Sequence, residues 1–173
     1  MATAYSALMQ IALIAEETPD VTVDPGATGG LAVKVENANG GRRWSDGTGD
    51  GKIGRDYKRI RTIGAGGTDS YNTLAAGSLL TPNGAAIDLD ELKGLVLKVT
   101  SGQIQLAAPA ANFLGIFSDA TDVINLNATG GLKCIALDFG SDGLDVTVNS
   151  TFDIIETSGA AGAVYELSFV GAE

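Results

Sequence analysis

The stretch AVYELSFV, residues 163–170, decides the fold class. In an extended chain Tyr165, Leu167 and Phe169 point one way, and Val164, Glu166, Ser168 and Val170 point the other. A period of two marks a strand with one face on a core and the other on water or a partner. LDVTVN (144–149) repeats it, with Leu144, Val146 and Val148 expected on one face and Asp145, Thr147 and Asn149 on the other. Working outward, short runs rich in Val, Ile, Leu and Thr recur: LAVKVEN (31–37), YKRIRTI (57–63), GLVLKVT (94–100), QIQLAA (103–108), DVINLN (122–127), LKCIALDF (132–139) and FDIIET (152–157). Ser101-Gly102, Thr129-Gly130-Gly131, Ser141-Asp142-Gly143 and Ser158-Gly159 stand between them. These are expected to be hairpin turns, because glycine accepts the positive φ that tight turns require. Short strands with turns every roughly 8–12 residues predict an all-β chain, an antiparallel β-sandwich or jelly roll.

Two segments read differently. TAYSALMQIALIAEE (3–17) is expected to be a strand or extended arm, and IDLDELKG (87–94) a site where Asp88 or Asp90 caps one short helical turn. The chain from Thr18 to Gly54 is rich in Gly, Asp and Asn and is expected to form long excursions. The organisation predicted is an N-terminal arm or extension over residues 1–41 and a β-sandwich domain over residues 42–173.

At 173 residues the chain has the length for one substantial core, burying about 70% of its unfolded surface without staples. Aromatics make up only 6%, so small aliphatic residues carry the core, which suits a thin sandwich. The lone cysteine, Cys134, excludes an internal disulfide and lies in an apolar run, where it reads as a small buried hydrophobe. The absence of histidine removes every Ser-His-Asp, Cys-His and His-containing zinc arrangement. GAGG (64–67) is followed by no lysine and reads as a turn, not a phosphate cradle. The expectation is a non-enzymatic protein without cofactor or bound metal.

DGTGDGKIGRDY (46–57) imitates a calcium loop, with Asp46, Thr48, Asp50, Gly51 and Ile53 at positions 1, 3, 5, 6 and 8. The twelfth position, which requires a bidentate acid, is Tyr57, and NANGGRRW upstream is unsuited to a helix. The stretch is therefore expected to be a turn-rich connection. The N-terminal run has no basic segment or cleavage-site pattern and is too short to span a bilayer, so neither secretion nor a membrane is expected.

A net charge of −10 argues against nucleic acid as a partner. The charge is uneven: seven of eleven basic residues fall between Arg42 and Arg61, while from Val99 onward nine acids meet Lys133 alone. Such asymmetry suits docking through complementary charge. Arg42, Arg43, Trp44, Lys52, Arg55, Lys58, Arg59 and Arg61 are the expected partner interface, with Trp44 as anchor.

Residues 42–171 resemble a family of tailed-phage virion proteins. The likeness rests on Trp44 followed by Ser-Asp-Gly-Thr-Gly, the Tyr57–Ile63 strand, the Leu-rich segment from Leu74 to the Pro-Asn-Gly turn at Gly84, and the acidic turn feeding Asp88–Val99. It continues through Gly130-Gly131, LDVTVN and the last strand ending at Val170-Gly171. The resemblance implies a β-sandwich that decorates or cements phage heads, docks on the major capsid protein and forms homo-oligomers, often trimers. It places the chain on the capsid exterior, assembled in the host cytoplasm, with a tail-tip or fibre-type receptor-binding module as the alternative.

Overall fold

The computed structural model describes residues 6–11, 34–35, 42–46, 52–74, 79–80, 86–159 and 161–173, the first three stretches as strand backbone alone. The described chain is all-β, with no helix among the described residues. A small sheet joins β2 (Lys34–Val35), β1 (Ser6–Ile11), β3 (Arg42–Asp46) and β4 (Lys52–Ile53) in that order. The domain proper has two layers. One holds β5 (Arg55–Ile63), β13 (Ala163–Ala172), β7 (Glu91–Ser101) and β10 (Cys134–Asp138), in the order β10-β7-β13-β5, with β11 (Leu144–Asp145) also on β7. The other runs β6 (Thr68–Asn72), β12 (Thr151–Glu156), β8 (Gln103–Ala107) and β9 (Val123–Asn127). All pairs in both layers are antiparallel. This is the strand order of a double-sheet jelly roll.

Three of the four expected hairpins are corners, and the fourth, Ser141-Asp142-Gly143, lies in the arch between β10 and β11, which both pair with β7. β7 and β8, joined through Ser101-Gly102, lie in different layers, as do β9 and β10, and β12 and β13. Counting β5 to β6, β6 to β7 and the passage from β10 to β12, six of the seven links between the eight main strands change layer. Glycine is needed there for close approach as well as for positive φ. A Cβ on Gly102 (φ 76°) meets the Gly162 carbonyl at 2.5 Å, and one on Gly162 (φ 77°) collides with the carbonyl of Ile63. Three corners thus stack backbone against backbone at one end of the sandwich.

The core fills the space between layers. β13 turns Tyr165, Leu167 and Phe169 inward, as its alternation predicts, and β7 adds Leu92, Leu95, Leu97 and Val99. Ile104 and Leu106 of β8 with Phe152 and Ile154 of β12 face them. Tyr57 stacks on Phe169 (4.8 Å), Tyr71 stacks on Phe152 (5.0 Å), and Tyr57 meets Tyr71 edge-on across the layers at 6.0 Å. Few aromatics suffice because four of them sit in one cluster.

Three readings change. Residues 87–90 form no helical turn: Ile87 and Leu89 are buried while Asp88 and Asp90 are exposed, a period of two that continues into β7. LDVTVN stays a strand only for Leu144–Asp145. Asp145 Oδ1 accepts from Thr147 N (2.9 Å) and Thr147 Oγ1, which curls the chain away from β7 and leaves Val148 70% exposed. Cys134 is half-buried, not buried, on the outer side of β10, and burial raises its thiol pKa.

Two buried charged side chains hold connections in place. β7 carries two extra residues relative to β13: Thr100, between the partners of Val164 and Tyr165, and Lys93, between those of Val170 and Gly171. Lys93 is fully buried, and its ammonium donates to Glu91 Oε2 (2.5 Å) and to the carbonyls of Ser141 (2.7 Å) and Asp142 (2.8 Å). The chain leaves β7 after Asp138 and rejoins it at Leu144, and the lysine fills the arch between. Glu156, 3% exposed, accepts from Gly66 N (2.6 Å), Ser158 N (2.7 Å), Gly159 N (3.2 Å) and Ser158 Oγ. These bonds, the Ser158 hydroxyl foremost, hold its carboxyl below the usual range.

Lys93→Met is expected to lower the unfolding free energy by about 1.5–3 kcal/mol, the range for charge-assisted hydrogen bonds, and to speed proteolysis within residues 139–143. Glu156→Gln is expected to lower the urea midpoint at pH 7. A carboxyl whose pKa is depressed on folding stabilises above its unfolded value, near 4.5, and loses that contribution as pH falls through the folded value. The gap between variant and parent should therefore close on acidification below about pH 4.5, read from urea midpoints across pH.

Candidate functional site

The expected basic interface is divided by the fold. Arg42, Arg43 and Trp44 lie in β3, whose backbone pairs with Met9, Leu8 and Ala7 of β1; their side chains fall outside the described residues. Lys52 is in β4, and Arg55, Lys58, Arg59 and Arg61 are in β5. The calcium-like stretch therefore runs from the end of β3 to β5, flanked by strands where an EF-hand needs helices; residues 47–51 within it lie outside the described residues. Among the described residues no group of three or more His, Cys, Asp or Glu side chains is placed to hold a metal ion.

β5 is the edge of its sheet, hydrogen-bonded along β13, and its alternation sends the cations to two faces. Arg55, Arg59 and Arg61 share the inner face with the buried Tyr57 and Ile63. Lys58 goes outward with Ile60, which is 66% exposed, and Thr62. The inward arginines lie at the open side of the sandwich, where β5 faces β6. Arg55 pairs with Glu173 (2.8 Å) and donates to the carbonyls of Gly54 and Ala86. The Arg59 guanidinium stands 5.4 Å over the Tyr57 ring and donates to the Leu80 carbonyl at 3.1 Å. Arg61 reaches Asp69 Oδ1 and Oδ2, each at 3.4 Å. The guanidinium groups thus lie over the exposed rim of the core while keeping charge at the surface.

Behind Arg61 a line of polar groups enters the interior. Tyr165 Oη donates to Asp69 Oδ2 (2.5 Å) and lies 2.6 Å from Tyr71 Oη. With the Tyr165 proton committed to the carboxylate, Tyr71 donates to Tyr165. Burial above all raises the pKa of both phenols, and Asp69 raises that of Tyr165 further, so they stay protonated at neutral pH. The hydrogen bond from Arg61 to Asp69 holds the guanidinium firmly charged. Charge at the mouth and neutral hydroxyls behind it make a hydrogen-bonding seam. Beside it lies a recess of about 300 Å3 walled by Tyr57, Arg59, Arg61, Asp69 and Tyr71.

Composition and charge runs single out the arginines but miss Asp69, Tyr71 and Tyr165. The one available signal is the alternation of TDSYN, which places Asp69 and Tyr71 on the same face of β6. No protein-family model matches the chain, and no curated protein matches it.

Tyr165→Phe is expected to reduce stability by about 1–3 kcal/mol, because Asp69 loses a donor and Tyr71 an acceptor. Adding Tyr71→Phe should cost much less than the sum of the single changes, since it removes the hydroxyl left without its acceptor. A denaturation cycle over the four proteins measures both.

Proposed function

We propose that this chain is a non-enzymatic structural virion protein that decorates or cements a phage capsid, docking on the major capsid protein and associating with copies of itself, as trimers in the arrangement its resemblance suggests. The observation that carries the reading is β5, a nine-residue edge strand that presents Arg55, Lys58, Arg59 and Arg61 with the exposed Ile60. A long edge with apolar surface is a template for another chain, and its cations select an acidic one. Arg42, Arg43 and Trp44, on β3, belong to the same basic segment of the sequence. The jelly roll also serves viral shells among many other roles, so it supports the reading by analogy only.

The protein is expected to co-sediment with empty capsids of its phage and to be released as salt is raised, because exposed ion pairs are screened. Arg42→Glu combined with Arg43→Glu should weaken binding by roughly tenfold or more, equivalent to about 1.4 kcal/mol. Binding absent at low salt, or indifferent to both changes, would overturn the capsid reading.

A further inference from the structure

The sheet order β10-β7-β13-β5 ends in two strands that have no strand neighbour on their outer side among the described residues, apart from β3 alongside Lys52–Ile53 just before β5. Their charges are opposite. β5 carries Arg55, Lys58, Arg59 and Arg61 against Asp56 alone, whereas β10, β11 and the arch between them carry Asp138, Asp142 and Asp145, all exposed. The β5 edge also shows Ile60, 66% exposed; Leu132, 47% exposed, lies just before β10 beside the exposed Lys133.

Strand direction and register make the two edges fit. β10 is antiparallel to β7, β7 to β13 and β13 to β5, so three reversals leave β10 antiparallel to β5. A second copy laid beside the first in the same orientation therefore brings its β10 against β5 as one more antiparallel strand. Unshifted, Asp138 is level with Asp56, through Gly94 and Val170. That level sets like charges together and crowds β3. A slide of two residues relieves both and, being even, keeps every side chain on its face. Asp138 then stands beside Lys58, Ala136 beside Ile60, and Cys134 beside Thr62.

We propose that the protein associates head to tail with itself, the β10 edge of one copy adding to the Lys58–Thr62 edge of the next in this shifted register. The inference rests on the self-association within the proposed function and names its surface. Such an interface joins two different patches, so it closes into rings or runs on as open chains.

The lone cysteine makes the register testable. Within one copy, residues 62 and 134 lie on opposite edges of a four-strand sheet and two residues out of level, about 16 Å apart, beyond the reach of a disulfide. Between copies they are neighbours. Thr62→Cys, treated with oxidised glutathione, is expected to give a ladder of cross-linked dimers and larger species on a non-reducing gel. Thr62→Cys in a Cys134→Ser background is expected to give none, with circular dichroism matching the parent in both. Cross-linking in the Cys134→Ser background would mean that β5 meets β5, and would overturn the proposal. Absence of cross-links in Thr62→Cys, with a parent larger than the 17.5 kDa chain in light scattering, would overturn the edge while leaving self-association intact. A parent that is monomeric in light scattering would remove self-association and this inference together, and capsid co-sedimentation would still report on docking.

Discussion

From Ala163 to Ala172 the chain gives its backbone to neighbours on both sides, β5 along one edge and β7 along the other. A strand buried in the middle of a sheet must satisfy every N–H and C=O through those neighbours, and here the partners are about seventy and a hundred residues away in sequence. The core is built around the same strand. Tyr165, Leu167 and Phe169 project from it into the space between layers, each worth about 1.5–3 kcal/mol on burial. Its own layer is incomplete without it, because β5 otherwise has no bond to β7. The irregularities of the sheet serve this pairing. The bulges at Thr100 and Lys93 fit the eleven residues of β7 to nine of β13, Val164–Ala172, and Gly171 is glycine because a Cβ there collides with the carbonyl of Glu91.

The open side of the sandwich is managed differently from the middle. Where β5 faces β6, no further strand pair closes the gap among the described residues, and arginines with a tyrosine-carboxylate line do the work of aliphatic packing. Arg59 covers the Tyr57 ring face and Arg61 binds Asp69, both keeping their charges at the surface. The basic run thus has a local physical role whatever it meets outside. Only Lys58, Ile60 and Thr62, on the outward face, are free of that role, which makes them the residues most suited to recognition.

Much of the architecture was readable because alternation survives burial: β7, β8, β9, β12 and β13 fall where the apolar runs lie. What was not readable has separate physical causes. β6 is a polar edge strand, and TDSYN shows only Tyr71 to the core. The glycine turns looked like hairpins because positive φ serves a tight turn and a layer-changing corner equally; only the pairing partners, distant in sequence, tell them apart. LDVTVN failed as a strand because Asp145 found a closer donor in Thr147 than the ladder offered. The burial of Lys93 and Glu156 leaves no pattern in the sequence, because it depends on carbonyls and amides some fifty and ninety residues away. In the candidate site the cations stood out by composition, whereas their division between two faces required the strand.

The layer-changing links have a mechanical meaning. Covalent crossings sit at both ends of the sandwich: the links β5–β6, β7–β8, β9–β10 and β12–β13 at one end, and β6–β7 and β10–β12 at the other. The two layers are laced together like the faces of a quilt. A force peeling one sheet from the other loads these links at both ends once the packing between layers gives way, whereas a force sliding β13 along its own axis shears the ladders to β5 and β7 and the core contacts of Tyr165, Leu167 and Phe169 together, with a single covalent link to the other layer.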